Sequence, residues 1–112
     1  MVRASADPSL QVERLKLTAY LLNIHHPDGG AKARFFIGHG FSPDRPGQLA
    51  DALLRHATFP EDDLVQSRFG AKLVFLRPLT TPNGTNPTVR SVWQIRDPNE
   101  GVAYLVTAVP RT

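Results

Sequence analysis

From Val12 to Ile24 apolar side chains recur at intervals of three and four. Leu15, Ala19 and Leu22 carry the period, with Leu17, Tyr20, Leu21 and Ile24 beside them. That spacing predicts a first helix ending near Asn23. His25-His26-Pro27-Asp28-Gly29-Gly30 follows, and its proline and paired glycines make it a loop, with Asp28 placed to cap the next element. Ala31 to Ile37 predicts a short second helix stopped by Gly38 and Gly40. Pro46 suits the first turn of a third helix, in which Leu49, Ala52, Leu53 and His56 share a face that fades by Phe59-Pro60.

After Glu61-Asp62-Asp63 the pattern shifts to short β-branched and aromatic runs: Lys72 to Leu79, Thr88 to Arg96 and Val102 to Val109. Turn signals separate them, one around Pro82-Asn83-Gly84 and one over Asp97-Pro98-Asn99-Glu100-Gly101. An antiparallel meander of at least three strands follows. Helices first and sheet second define an α+β domain, with two or three N-terminal helices packed on a C-terminal antiparallel sheet. Residues 1–112 are expected to make a single domain, with 1–10 as a poorly ordered or extended arm. Strand alternation puts Arg90, Val92 and Gln94 on one side and Val89, Ser91, Trp93 and Ile95 on the other. Arg90 and Trp93 therefore share a site only if a bulge intervenes. The same alternation places Thr107 with Ala103, Leu105 and Val109.

Composition narrows the class. At 41% hydrophobic, with 10 Pro and 8 Gly in 112 residues, the chain reads as folded and turn-rich. Thirteen Lys+Arg against ten Asp+Glu give a net charge of +3, a mild bias toward polyanions. The absence of cysteine excludes disulfides and thiolate-bound metals and makes a cytoplasmic setting the simpler expectation. No apolar run is long enough to span a bilayer, and the first ten residues hold no hydrophobic block of the secretory kind. No membrane association and no cofactor are expected.

The chemistry lies in His25, His26, Lys32 and Arg34 around the first glycine-rich turn and in Arg90, Trp93 and Thr107 on the strands. Cleavage of RNA through its own 2′-hydroxyl needs a base, an acid for the departing 5′-oxygen, and cations for the charge that builds on phosphate. Histidine, with an ordinary pKa of about 6.5, serves either proton role near neutrality. Arginine offers a fork for two phosphate oxygens and lysine a point charge. No carboxylate pair or histidine spacing suits a metal, which disfavours a metal-dependent nuclease.

The order Lys16-Leu17, Tyr20-Leu21-Leu22-Asn23, His26, Gly29, Lys32, Phe35-Phe36, Gly40-Phe41, Gly70, Asn83-Gly84, Val92-Trp93 and Val106-Thr107-Ala108-Val109-Pro110 resembles a small bacterial domain of unassigned function. That domain is found in toxin-antitoxin-like gene pairs and at polymorphic toxin tips. More distantly the chain resembles the metal-independent ribonuclease superfamily of barnase, colicin D, colicin E5 and the RelE toxins. The resemblance implies a helix-borne His or Lys facing strand-borne Arg and Thr across a cleft. It maps His26 and Lys32 to the first group and Arg90 and Thr107 to the second.

Two functional readings result. In one, the protein is a metal-independent endoribonuclease acting as a toxin, with His26, Lys32, Arg90 and Thr107 catalytic and Lys16, His25, Arg34 and Trp93 binding RNA. A small acidic antitoxin or immunity protein would silence it. In the other, it is a non-catalytic RNA-binding or protein-interaction module. Each residue also has a plainer role: His26 as a cap, Lys32 and Arg34 as a solvated helix face, Thr107 as a strand former, Trp93 and His56 as core.

Overall fold

The computed structural model describes residues 7–111. Residues 1–6 of the expected N-terminal arm lie outside the described residues, whereas its end enters the sheet as strand β1 (Ser9–Gln11). The chain then forms helix α1 (Arg14–Lys16), which runs on into a π-helical turn (Leu17–Leu21). Helix α2 (Gly30–Gly38) and helix α3 (Pro46–His56) follow. Strands β2 (Asp63–Ser67), β3 (Gly70–Pro78), β4 (Thr88–Ile95) and β5 (Val102–Pro110) complete the fold.

The five strands lie in the order β1-β5-β4-β3-β2. Strands β2 to β5 pair antiparallel, but β1 pairs parallel to β5, with Ser9 opposite Val102 and Gln11 opposite Tyr104. The sheet is therefore mixed rather than purely antiparallel. Three residues without a β-branched side chain give no strand signal of their own, and β1 exists through the hydrogen bonds that β5 offers. Strand β2, which emerges from the acidic run, is a further strand beyond those the sequence predicts, and all five of its residues are exposed. It joins β3 through Arg68-Phe69, where Gly70 has φ 110° and any Cβ would lie 2.5 Å from the Ile95 carbonyl oxygen. Only glycine fits there.

Helical and strand residues meet in one core. Leu17, Leu21, Leu22, Phe36, Leu49 and Leu53 pack with Leu73, Phe75, Val89, Trp93, Leu105 and Ala108. Helix α3 buries the face its sequence predicts, Leu49, Ala52, Leu53 and His56. The first helix differs from expectation. Its core residues are Leu17, Leu21 and Leu22, while Leu15 is 74% exposed. The wider π turn, closed by the Leu22 amide donating to the Leu17 carbonyl at 2.8 Å, rotates the inward face relative to a regular helix.

A second irregularity lies between β4 and β5. Trp93 pairs with Leu105 and Val92 with Thr107, so Val106 is an extra residue in β5. The bulge reverses the alternation beyond it. Thr107 therefore leaves the face of Ala103 and Leu105, contrary to simple alternation, and joins Val92 and Arg90 on the opposite face. Ala108 takes its place in the core, opposite Ser91.

Candidate functional site

Glu13 and helix α1, the π turn, the loop after it, helix α2 and the β5 bulge border an open cavity of about 890 Å³, and Tyr20 is among the residues that line it. Tyr20 is held from several sides. Its ring rests on Gly29, where a Cβ would lie 2.6 Å from the ring's Cδ1, so the buried glycine provides the space the aromatic needs. The His26 ring meets it edge-on with centroids 5.0 Å apart. Lys32 Nζ donates to the Tyr20 hydroxyl oxygen at 2.5 Å, and the Thr107 hydroxyl lies 3.0 Å from the same oxygen. The ammonium groups of Lys16 and Lys32 sit 5.4 and 4.9 Å from the ring centroid, in the range where a ring face attracts a cation.

These contacts set the electrostatics. Burial by itself raises the Tyr20 phenol, but the hydrogen bonds from Lys32 and Thr107 and the charges of Lys32 and Lys16 outweigh it, and the net shift is downward. Glu13 is a carboxylate on the cavity wall, and Arg96 binds it at 2.6 Å; that hydrogen bond holds Glu13 below the usual carboxylate range. Arg14, Lys16 and Lys32 line the remainder. The cavity thus presents cations and hydroxyls toward solvent while its one lining carboxylate is already paired, a setting that favours an anion.

His26 is constrained in a way the sequence did not reveal. Its Nδ1 accepts from the amides of Asp28 at 3.0 Å and Gly29 at 2.9 Å. Two donors aimed at one nitrogen leave it without a proton, so the neutral ring carries its proton on Nε2. The imidazole clasps the loop that carries Gly29 under the Tyr20 ring.

Lys16, His26, Lys32 and Thr107 all line this cavity. Arg90 does not. It lies exposed on β4 in an adjoining depression with Lys72, Val92 and Thr107, so that Thr107 borders both. His25 and Arg34 are exposed outside the cavity lining. Trp93 is 0% exposed in the core, its indole N–H donating to Ser91 Oγ at 2.9 Å. A side chain closed on all sides cannot stack on a base, so Trp93 is a core residue and not an RNA-contacting one. Tyr20 is the central residue that sequence reasoning passed over as part of an apolar helix. Its available signal was a hydroxyl-bearing ring one turn from Lys16, which puts both on one helix face. Among the described residues no group of three His, Asp or Glu side chains could hold a metal ion, and no helix is long and apolar enough to cross a membrane.

A family-wide sequence profile, described as a domain of unknown function, matches residues 7–112. The chain belongs to the DUF6883 family. No curated protein matches it. Among solved structures it resembles a chain of the contact-dependent growth inhibition toxin–immunity protein complex from Klebsiella pneumoniae 342, with a TM-score of 0.66 and 14% identity, over 90% of this chain and 92% of the other. At that identity the likeness is one of fold. It extends over nearly the whole of both chains, so this DUF6883 member has the architecture of a component of a toxin–immunity pair.

Proposed function

We propose that this protein is a metal-independent endoribonuclease of the bacterial toxin type, which cleaves RNA through the 2′-hydroxyl next to the scissile phosphate. The observation that carries the reading is the convergence of Lys16, Lys32, His26 and Thr107 around Tyr20 in one open cavity, Lys32 and Thr107 on its hydroxyl and Lys16 and His26 on its ring. Cations there stabilise the charge that grows on phosphate, and hydroxyl and N–H groups orient its oxygens. Thr107 links this cavity to the depression of Arg90 and Lys72, which suits the next phosphate of an extended strand. The net charge of +3 and the fold shared with a toxin–immunity component support the same reading.

A nuclease of this kind needs a silencer, and the partner that fits is a small acidic immunity protein or antitoxin whose carboxylates occupy the phosphate positions. Its action on RNA belongs in the cytoplasm of the intoxicated cell. The test is purified protein with total RNA in EDTA. Cleavage leaving 2′,3′-cyclic phosphate and 5′-hydroxyl ends is the expected result. Activity that EDTA abolishes and Mg²⁺ restores would overturn the mechanism. RNA retained intact by a protein that is harmless in cells would replace it with the non-catalytic binding module.

A further inference from the structure

Two side chains in the cavity could take the proton of the 2′-hydroxyl, His26 and Tyr20, and their surroundings separate them. The His26 ring has committed Nδ1 to two backbone amides. Taking a second proton there requires giving up both bonds and the loop conformation they hold. Tyr20 has the opposite arrangement. Its oxygen already accepts from Lys32, whose ammonium has only protons to give, and it contacts Thr107, so two partners are in place to stabilise the oxygen once it is an anion.

We propose that Tyr20 and Lys32 form the proton-transfer pair of the cavity, and that His26 is a positioning residue that holds Gly29 and the edge of the Tyr20 ring in place. The proposal rests on the ribonuclease reading. The phenolate takes the proton of the 2′-hydroxyl, and the 2′-oxygen forms a bond to phosphorus. The bond from phosphorus to the 5′-oxygen breaks with its electron pair on that oxygen, which takes a proton from the Lys32 ammonium. The new phenol then returns its proton to the Lys32 amine across the 2.5 Å contact. Phenolate and ammonium are restored, no proton is gained or lost, and the products are the cyclic phosphate and the free 5′-hydroxyl. The groups facing the phenol are Lys16 on its own helix, Lys32 on α2, His26 from the loop and Thr107 on β5; burial raises the phenol, and Lys32, Thr107 and Lys16 outweigh it to give the downward shift.

The chain has two tyrosines, and the other, Tyr104, is shifted upward by burial and by its bond to Glu100. The two phenols are therefore expected to separate in a tyrosinate absorbance titration, which reads the site without any substrate. Tyr20→Phe keeps the ring packed on Gly29. It is expected to abolish the lower titration step and to reduce RNA cleavage by about 10²- to 10⁴-fold, the span of general acid–base catalysis. His26→Ala loses the loop clasp and falls in rate, and His26→Asn, whose Oδ1 can accept the same two amides, is expected to recover at least about tenfold of that loss. Cleavage by Tyr20→Phe at the wild-type rate, a lower titration step that survives in that variant, or His26→Asn as inactive as His26→Ala would each overturn the proposal and leave the ribonuclease reading standing. An inactive wild-type chain would overturn both.

Discussion

Two of the protein's histidine-centred hydrogen-bond networks, one in the cavity around His26 and one at the end of α3 around His56, differ in what is left over. His56 is 5% exposed. Its Nδ1 meets Ser91 Oγ at 3.1 Å, and its Nε2 meets the carbonyls of Arg77 and Val89 at 3.0 and 2.9 Å. Since carbonyls only accept, Nε2 holds the proton, Ser91 donates to Nδ1, and Trp93 in turn donates to Ser91. Both ring nitrogens are used inside the protein. Around His26 the backbone takes Nδ1 alone, and the neighbouring Tyr20 hydroxyl, bonded to Lys32 and Thr107, borders open space. A network that closes on itself ties a helix to a sheet. One that leaves a polarised oxygen at the mouth of a cationic cavity can act on another molecule.

The largest expected effect breaks the open network. Tyr20→Phe should raise the barrier to RNA cleavage by about 3–5 kcal/mol with the melting temperature nearly unchanged, because the ring keeps its packing. Steady-state cleavage alongside a thermal melt checks both halves, and a comparable loss of stability would place Tyr20 with His56 as a structural residue.

His56→Ala should do the reverse. It leaves the Ser91 hydroxyl without its buried acceptor and the Arg77 and Val89 carbonyls without the imidazole donor, at a cost of about 2–3 kcal/mol, or roughly 10 °C in melting temperature. Residual folded protein should still cleave RNA at the wild-type rate below its melting point. A smaller effect of the same network appears with pH. Burial, the dominant influence on His56, lowers its pKa from the ordinary imidazole value, against the opposing pull of the two carbonyls. The unfolded chain thus binds more protons than the folded one as pH falls. The His56 contribution to stability is complete above about pH 6.5 and is lost progressively as the pH drops from there toward the folded-state pKa. Denaturant unfolding at a series of pH values should show this decline in wild type and lose part of it in His56→Gln; identical profiles would remove His56 as its source.

The comparison also explains which parts the sequence made legible. Helix α3 was readable because Leu49, Ala52, Leu53 and His56 follow one helical period, and β3, β4 and β5 because their runs are long and rich in β-branched residues. The alternation rule placed Trp93 in the core and Arg90 outside it. What escaped depended on partners distant in sequence. Strand β1 needs β5, and Thr107 changes face only because Val106 is an extra residue opposite β4. Tyr20 owes its setting to a π turn and to a threonine 87 positions away. His26 was legible as a candidate residue, but its role turns on two amide bonds made by the fold of its own loop. No periodicity encodes them.

Arg90 sharpens the boundary of the open network with the smallest effect. It stands exposed on β4, outside the cavity but sharing Thr107 and Val106 with it through the adjoining depression. Under the proposed ribonuclease function, a cation so placed would meet a phosphate next to the one being cleaved rather than the reacting phosphate itself. Its loss removes a screened, solvent-exposed contact. Arg90→Ala should therefore weaken RNA binding by about three- to tenfold and reduce the slope of log affinity against log salt by about 1, leaving the rate at saturating RNA nearly intact. Binding isotherms at several salt concentrations together with single-turnover cleavage decide it. A loss of several hundredfold at saturation would instead put Arg90 on the transition state and extend the reacting site across the β5 bulge.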